Sequence, residues 1–124
     1  MPNLLLVMIG GAAGAGLRYE VGRISLRLMG PGFPWGTLTV NLFGGLLMGV
    51  LAGMVVRHGA NEPLHLLFGV GVLGGFTTFS AFSLESYNML QRGDLATLLG
   101  YASASVVGSI AMLALGLWLT KSLV

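Results

Sequence analysis

"GGFTTFSAFS", residues 74–83, interrupts an apolar stretch that otherwise runs from about residue 64 to about residue 90. Two glycines, phenylalanines at 76, 79 and 82, and the hydroxyl residues Thr77, Thr78, Ser80 and Ser83 make a poor helix. Glycine costs backbone entropy, and clustered hydroxyls offer the backbone competing hydrogen bonds. In a soluble chain such a stretch would be a turn. Here 55% of the 124 residues are hydrophobic and 8% are charged, against about 25% charged in soluble domains. The mean hydropathy is +0.88. This is the composition of an integral membrane protein, so the stretch is expected to break a membrane-spanning helix at its centre.

The rest of the chain fits around that break. A spanning helix takes about 20 mostly apolar residues, and four segments qualify, at about 4–29, 37–56, 64–90 and 95–119. Between them lie "GPGFPWG" (30–36), where Pro31 and Pro34 cannot continue a helix, the polar "RHGANEP" (57–63) and the tight "QRGD" (91–94). The expectation is one all-α transmembrane domain over 1–124, four helices with the third broken. The opening "MPNLLLVMIGGAAGAG" lacks a basic n-region and reads as the first spanning helix rather than a leader.

Composition also removes several functions. With no cysteine there are neither disulfides nor thiolate metal sites. Six Lys/Arg against four Asp/Glu is too small and scattered an excess for nucleic acid. No Ser/His/Asp set, paired carboxylates or metal-ligand spacing is present, so the chain is not expected to be an enzyme.

The 21 glycines are patterned. Gly45, Gly49 and Gly53 repeat every four residues in the second segment, as do Gly100, Ala104 and Gly108 in the fourth, and Gly10 and Gly14 in the first. Small residues at this spacing let helix backbones approach closely in lipid, where packing drives association. Four short helices enclose little interior, so an oligomer is expected. Orientation adds a constraint. Arg57 and Lys121 lie on one side, Arg23, Arg27 and Arg92 on the other, with Arg18 deeper. Lys/Arg excess sets topology, and this excess is weak. The chain is therefore expected to insert both ways and to pair with itself as an antiparallel homodimer, a two-chain form of the inverted repeat.

Polar residues within spans are costly and are functional candidates by default. Asn41 offers two donors and an acceptor, either to an ion or to a neighbouring helix, and Thr37 stands one turn earlier on the same face. Tyr101, Ser105 and Ser109 align by fours, either as a hydroxyl stripe or bonded back to their own helix. Arg18 needs either an aqueous vestibule or a route to the interface by snorkelling. Glu85, just past the break, could face another subunit, pair with Arg18 or carry protons. Hydroxyls, one amide and phenyl edges, which carry the positive part of the ring quadrupole, suit a small anion and leave no central charge to trap it.

"GTLTVNLFGG" (36–45) and "GGFTTFSAFSLE" (74–85), with "GGAAGAGLRY" in the first segment and "GY…S…S" in the fourth, resemble the small bacterial fluoride channels, the Fluc or CrcB family. The resemblance spans essentially the whole chain. It implies a fluoride channel of the bacterial inner membrane, a dual-topology antiparallel homodimer whose two pores draw on both subunits and let fluoride leave the cytoplasm. It implies Asn41 as pore donor, Phe79 and Phe82 as the rings facing fluoride, and Tyr101, Ser105 and Ser109 as the hydroxyl track, with Ser80 and Ser83 adding to it. It places Arg18 in the vestibule. It also implies a structural Na⁺ on the dimer axis, held by the backbone carbonyls of Gly74 and Thr77. Ala81 departs from relatives that often have Thr. The rival, an exporter similar to the small multidrug-resistance transporters, would need a carboxylate in mid-span of the first helix. Residues 4–17 hold no charge, and Glu20 lies near the polar end.

Overall fold

A computed structural model describes residues 2–123; Met1 and Val124, the ends of the expected domain, lie outside the described residues. Those described are helical, with no strand among them. α1 (Asn3–Met29) and α2 (Trp35–His58) each end on a glycine with positive φ, Gly30 at 78° and Gly59 at 86°. Their N–H groups close the last turns on Leu26 O and Val55 O, both at 2.9 Å. Only glycine adopts that conformation cheaply, which explains the sharp ends. Between α1 and α2, Trp35 N–H donates to Phe33 O at 2.8 Å across Pro34, whose φ of −79° and ψ of 65° make an inverse γ-turn.

The third crossing comes in two pieces. It starts with a short turn, Glu62–Leu64, capped by Asn61, and continues as a wide π-helix over His65–Leu73. There the bonds reach five residues back, as from Gly74 N–H to Gly69 O. A last α turn, Gly74–Phe76, completes the piece called α3 (62–76). Then come two extended residues, Thr77 (φ −84°, ψ 158°) and Thr78 (φ −150°, ψ 123°). α4 (Phe79–Gln91) resumes the crossing, and α5 (Leu95–Leu123) follows a turn through Gly93, whose φ is 74°. All four crossings are long and apolar enough to span a membrane.

The break is therefore narrower than the sequence motif. Gly74 is not its hinge: its φ of −62° and ψ of −38° are helical. The hinge is the Thr-Thr pair. β-Branched threonine is at ease in extended backbone, and Thr78 then caps α4, its hydroxyl accepting from Ala81 N–H at 3.2 Å.

α1 packs along α3, and α2 along α5, while α4 lies more lightly on α5 and α2. Glycines set both tight seams. A Cβ on Gly10 would strike Leu67 O, and one on Gly71 would stand 2.9 Å from Gly10 Cα. On the other seam, Gly45, Gly49 and Gly53 lie against Ser109, Leu113 and Thr120. The α5 side differs from the expected pattern. Gly100 and Ala104 are exposed, and nothing lies within 4 Å of a Cβ built on Gly100. Gly108 and Gly116 meet Leu42 and Leu46 instead. Rotation along α5 explains this: 108 and 116 share the face toward α2, which 100 and 104 do not.

The buried apolar side chains are Val40, Leu73, Phe76, Met89 and Tyr101, whereas Leu4, Phe43, Phe68, Phe79, Leu84 and Ile110 are among many large ones left exposed. The bundle has almost no interior of its own. Its apolar surface belongs to lipid or to another protein.

Candidate functional site: a groove beside the broken helix

Two extended residues in an apolar bundle release backbone groups that must find partners. Asn41 of α2 takes two of them. Its Nδ2 donates to Thr78 O at 3.0 Å, and its Oδ1 accepts from Thr78 N–H at 2.8 Å. Arg18 of α1 donates from Nε to Gly75 O at 3.0 Å. The pattern among the released carbonyls is selective. In an unbroken helix Gly74 O and Thr77 O would accept from the N–H groups four residues on, those of Thr78 and Ala81. Both donors are taken by side chains, Asn41 Oδ1 and Thr78 Oγ1. The two acceptors are left without their helical donors. Thr77 spends its hydroxyl on Leu73 O, at 2.9 Å, so its carbonyl gets no help from its own side chain.

These carbonyl-bearing residues line an open groove of about 480 Å³ with Asn41, Thr78, Phe79, Phe82, Ser105 and Ser109. None of its lining residues is charged. Phe79 and Phe82 lie with ring centroids 5.5 Å apart, and Phe79 is 77% exposed, presented outward rather than into the bundle. Ser105 Oγ is buried without a hydrogen-bond partner, an arrangement native proteins rarely leave unused.

Not every expected member joins the groove. Ser83 bonds back to Phe79 O at 2.9 Å, and Ser80 pairs with Thr78 Oγ1 at 3.1 Å; both are exposed and outside the lining. Tyr101 is fully buried, its ring 5.1 Å from Phe82, and its hydroxyl donates to Glu85 Oε1 at 2.9 Å. The hydroxyl of Thr37 donates to Glu85 Oε2 at 3.0 Å. Glu85 therefore bridges α2, α4 and α5 and does not pair with Arg18. Arg18 lines a separate cavity of about 340 Å³ with Arg23, Thr37, Thr78 and Ala81, so the break separates an uncharged groove from a basic pocket. A third space of about 360 Å³, at the α1–α2 loop, holds Phe33, Trp35, Thr37, Glu85 and Arg92.

Sequence reasoning passed over Thr78 as hinge and the π-helical stretch before it. The Thr-Thr dipeptide was the available signal for the first. The second left none beyond Gly69 and Gly71.

Residues 5–117 match the CrcB-like protein, Camphor Resistance (CrcB), family. The chain belongs to it. It is 47% identical to the fluoride-specific ion channel FluC of Mesorhizobium japonicum over 99% of both chains. It is 52% identical to that of Novosphingobium aromaticivorans over 94% of both, and 50% identical to that of Rhizobium etli over 100% of both. In the first crossing Glu20 is exposed and ion-paired with Arg23 at 2.7 Å.

Proposed function

We propose that this CrcB-family chain is a fluoride channel of the bacterial cell membrane, built as an antiparallel, dual-topology homodimer that lets fluoride leave the cytoplasm. The observation that carries the reading is the uncharged groove. It offers hydroxyl and amide donors beside an outward-facing pair of phenyl rings. Such a lining replaces the water of a small anion with close donors and ring edges and contains no cation to hold it. Because the groove is open along one side and Phe79 points away from the bundle, a second copy is needed to close it. The thin interior and the exposed apolar faces support the same partner.

Gly74 and Thr77 fit the proposed Na⁺. Their carbonyls have lost their helical donors, and oxygen-only ligands suit a hard cation. Repeated across a two-fold axis they give about four oxygens. A cation there supplies fixed positive potential beside both pores. The chain's own contribution is to keep those oxygens free, through Asn41 and Thr78. Arg18, in its basic pocket, draws anions toward the break.

The test is ion efflux from proteoliposomes of the purified protein. Fluoride should leave and chloride should not, since donors spaced for a small ion cannot compensate the desolvation of a larger one. Comparable chloride flux would overturn the reading.

A further inference from the structure

We infer that Phe33, carried by the α1–α2 loop, is a positioning residue for the ion path that acts through Tyr101. The inference rests on the channel reading and extends it to a residue outside the groove. Tyr101 lines neither space itself but touches residues of both: Phe82 of the groove, at 5.1 Å, and Phe33 and Glu85 of the loop-end cavity. On the cavity side its neighbour is Phe33, with ring centroids 5.4 Å apart and planes at 84°, an edge-to-face pair. Although Tyr101 lies only six positions into α5, near the loop end, it is 0% exposed. Phe33 is the ring that closes that side.

Phe33 is itself held firmly. The inverse γ-turn at Pro34 fixes its carbonyl on Trp35 N–H, and its ring lies 4.7 Å from that of Trp35. The same turn leads directly into Thr37, which donates to Glu85. One rigid corner of backbone therefore sets two things at once: the hydroxyl of Thr37 on one carboxylate oxygen, and, through the Phe33 ring, the hydroxyl of Tyr101 on the other. Glu85 lines the loop-end cavity, and these two donors occupy its oxygens. Without the Phe33 ring, Tyr101 can tip into the space that ring leaves at the edge of the cavity of about 360 Å³, giving up its bond to Glu85 and its packing against Phe82, a ring that lines the groove.

The experiment uses full-length protein labelled with 3-fluorotyrosine, the Tyr101 resonance being assigned by its loss in Tyr101→Phe. Phe33→Leu keeps most of the volume but no ring, and Phe33→Tyr keeps the ring. Phe33→Leu should shift or broaden the Tyr101 resonance and slow fluoride efflux by roughly three- to tenfold, the scale of one aromatic pair. Phe33→Tyr should restore both. An unmoved resonance in Phe33→Leu, an efflux rate within about twofold of wild type, or a Phe33→Tyr variant as slow as Phe33→Leu overturns the inference. A wild-type protein that passes no fluoride overturns the channel reading and the inference with it, so the two failures are told apart.

Discussion

Asn41 and Thr78 face each other as a closed pair, amide against backbone, with Nδ2 on Thr78 O at 3.0 Å and Oδ1 on Thr78 N–H at 2.8 Å. The side chain of α2 does for the broken helix what the next turn of helix would have done. It leaves one Nδ2 hydrogen for another acceptor. Asn41 is thereby both a brace for the hinge and the one amide donor lining the groove.

Asn41→Asp tests this double role. The second carboxylate oxygen would sit where Nδ2 now donates, opposite Thr78 O, so one hydrogen bond becomes a repulsion in a half-buried site. Fluoride efflux should fall to background, and thermal unfolding in detergent should show a loss of about 1–3 kcal/mol. Normal efflux would reduce Asn41 to a packing residue.

The glycines make opposite predictions on the two faces of α5 and its partner. Gly49→Ala drives a Cβ into the carbonyl of Leu113 and should cost about 1–3 kcal/mol, as overpacking does. Gly100→Ala meets nothing within 4 Å and should be neutral or stabilising by up to about 1 kcal/mol from helix propensity alone. Melting temperatures of the two variants, measured side by side, check the pair. A destabilised Gly100→Ala would show that this face is covered in the assembled protein.

These two faces also mark how far the sequence could be read. Four crossings, the turns between them and a break in the third followed from apolar length and from Gly and Pro placement. Close approach along α2 followed from Gly45, Gly49 and Gly53. The partner face on α5 did not, because a small residue every four positions permits contact without naming the side that receives it. The hinge could not be narrowed within 74–83 for a related reason: the glycines and hydroxyl residues there weaken a helix without saying where it opens, whereas Thr78 is committed to one conformation by its cap on Ala81 and its bonds to Asn41. The groove members Asn41, Phe79, Phe82, Ser105 and Ser109 were legible as polar or aromatic residues in apolar surroundings. The commitment of Tyr101 to Glu85 depends on how α4 and α5 meet and has no local signature.

Topology gives a third prediction. A weak Lys/Arg bias should place a reporter fused to the C-terminus on both sides of the membrane in similar amounts. Adding two lysines to one loop should fix the orientation and abolish fluoride efflux when that variant is expressed alone. A single orientation in an active wild-type chain would count against the antiparallel pair.

A fourth concerns the cation proposed at Gly74 and Thr77. Exchange of Na⁺ for a large organic cation should lower both fluoride flux and dimer stability. Phe79→Ile and Phe82→Ile should lower flux while leaving the dimer and its response to Na⁺ intact. If flux and dimer are unchanged once Na⁺ is shown to be gone, the free carbonyls serve another purpose.

The selective capture of donors at the break has a consequence for acid tolerance. Breaking a helix releases N–H and C=O groups in equal number, yet here side chains take up the N–H groups of Thr78 and Ala81 and leave the oxygens of Gly74 and Thr77. The hinge thus acquires a concentration of negative potential made only of amide dipoles, with no carboxylate contributing to it. Carbonyl, amide and hydroxyl groups do not gain or lose protons between mildly acidic and neutral conditions. A cation held this way would keep its seat as the surroundings acidify, where a site built from Asp or Glu would begin to let go.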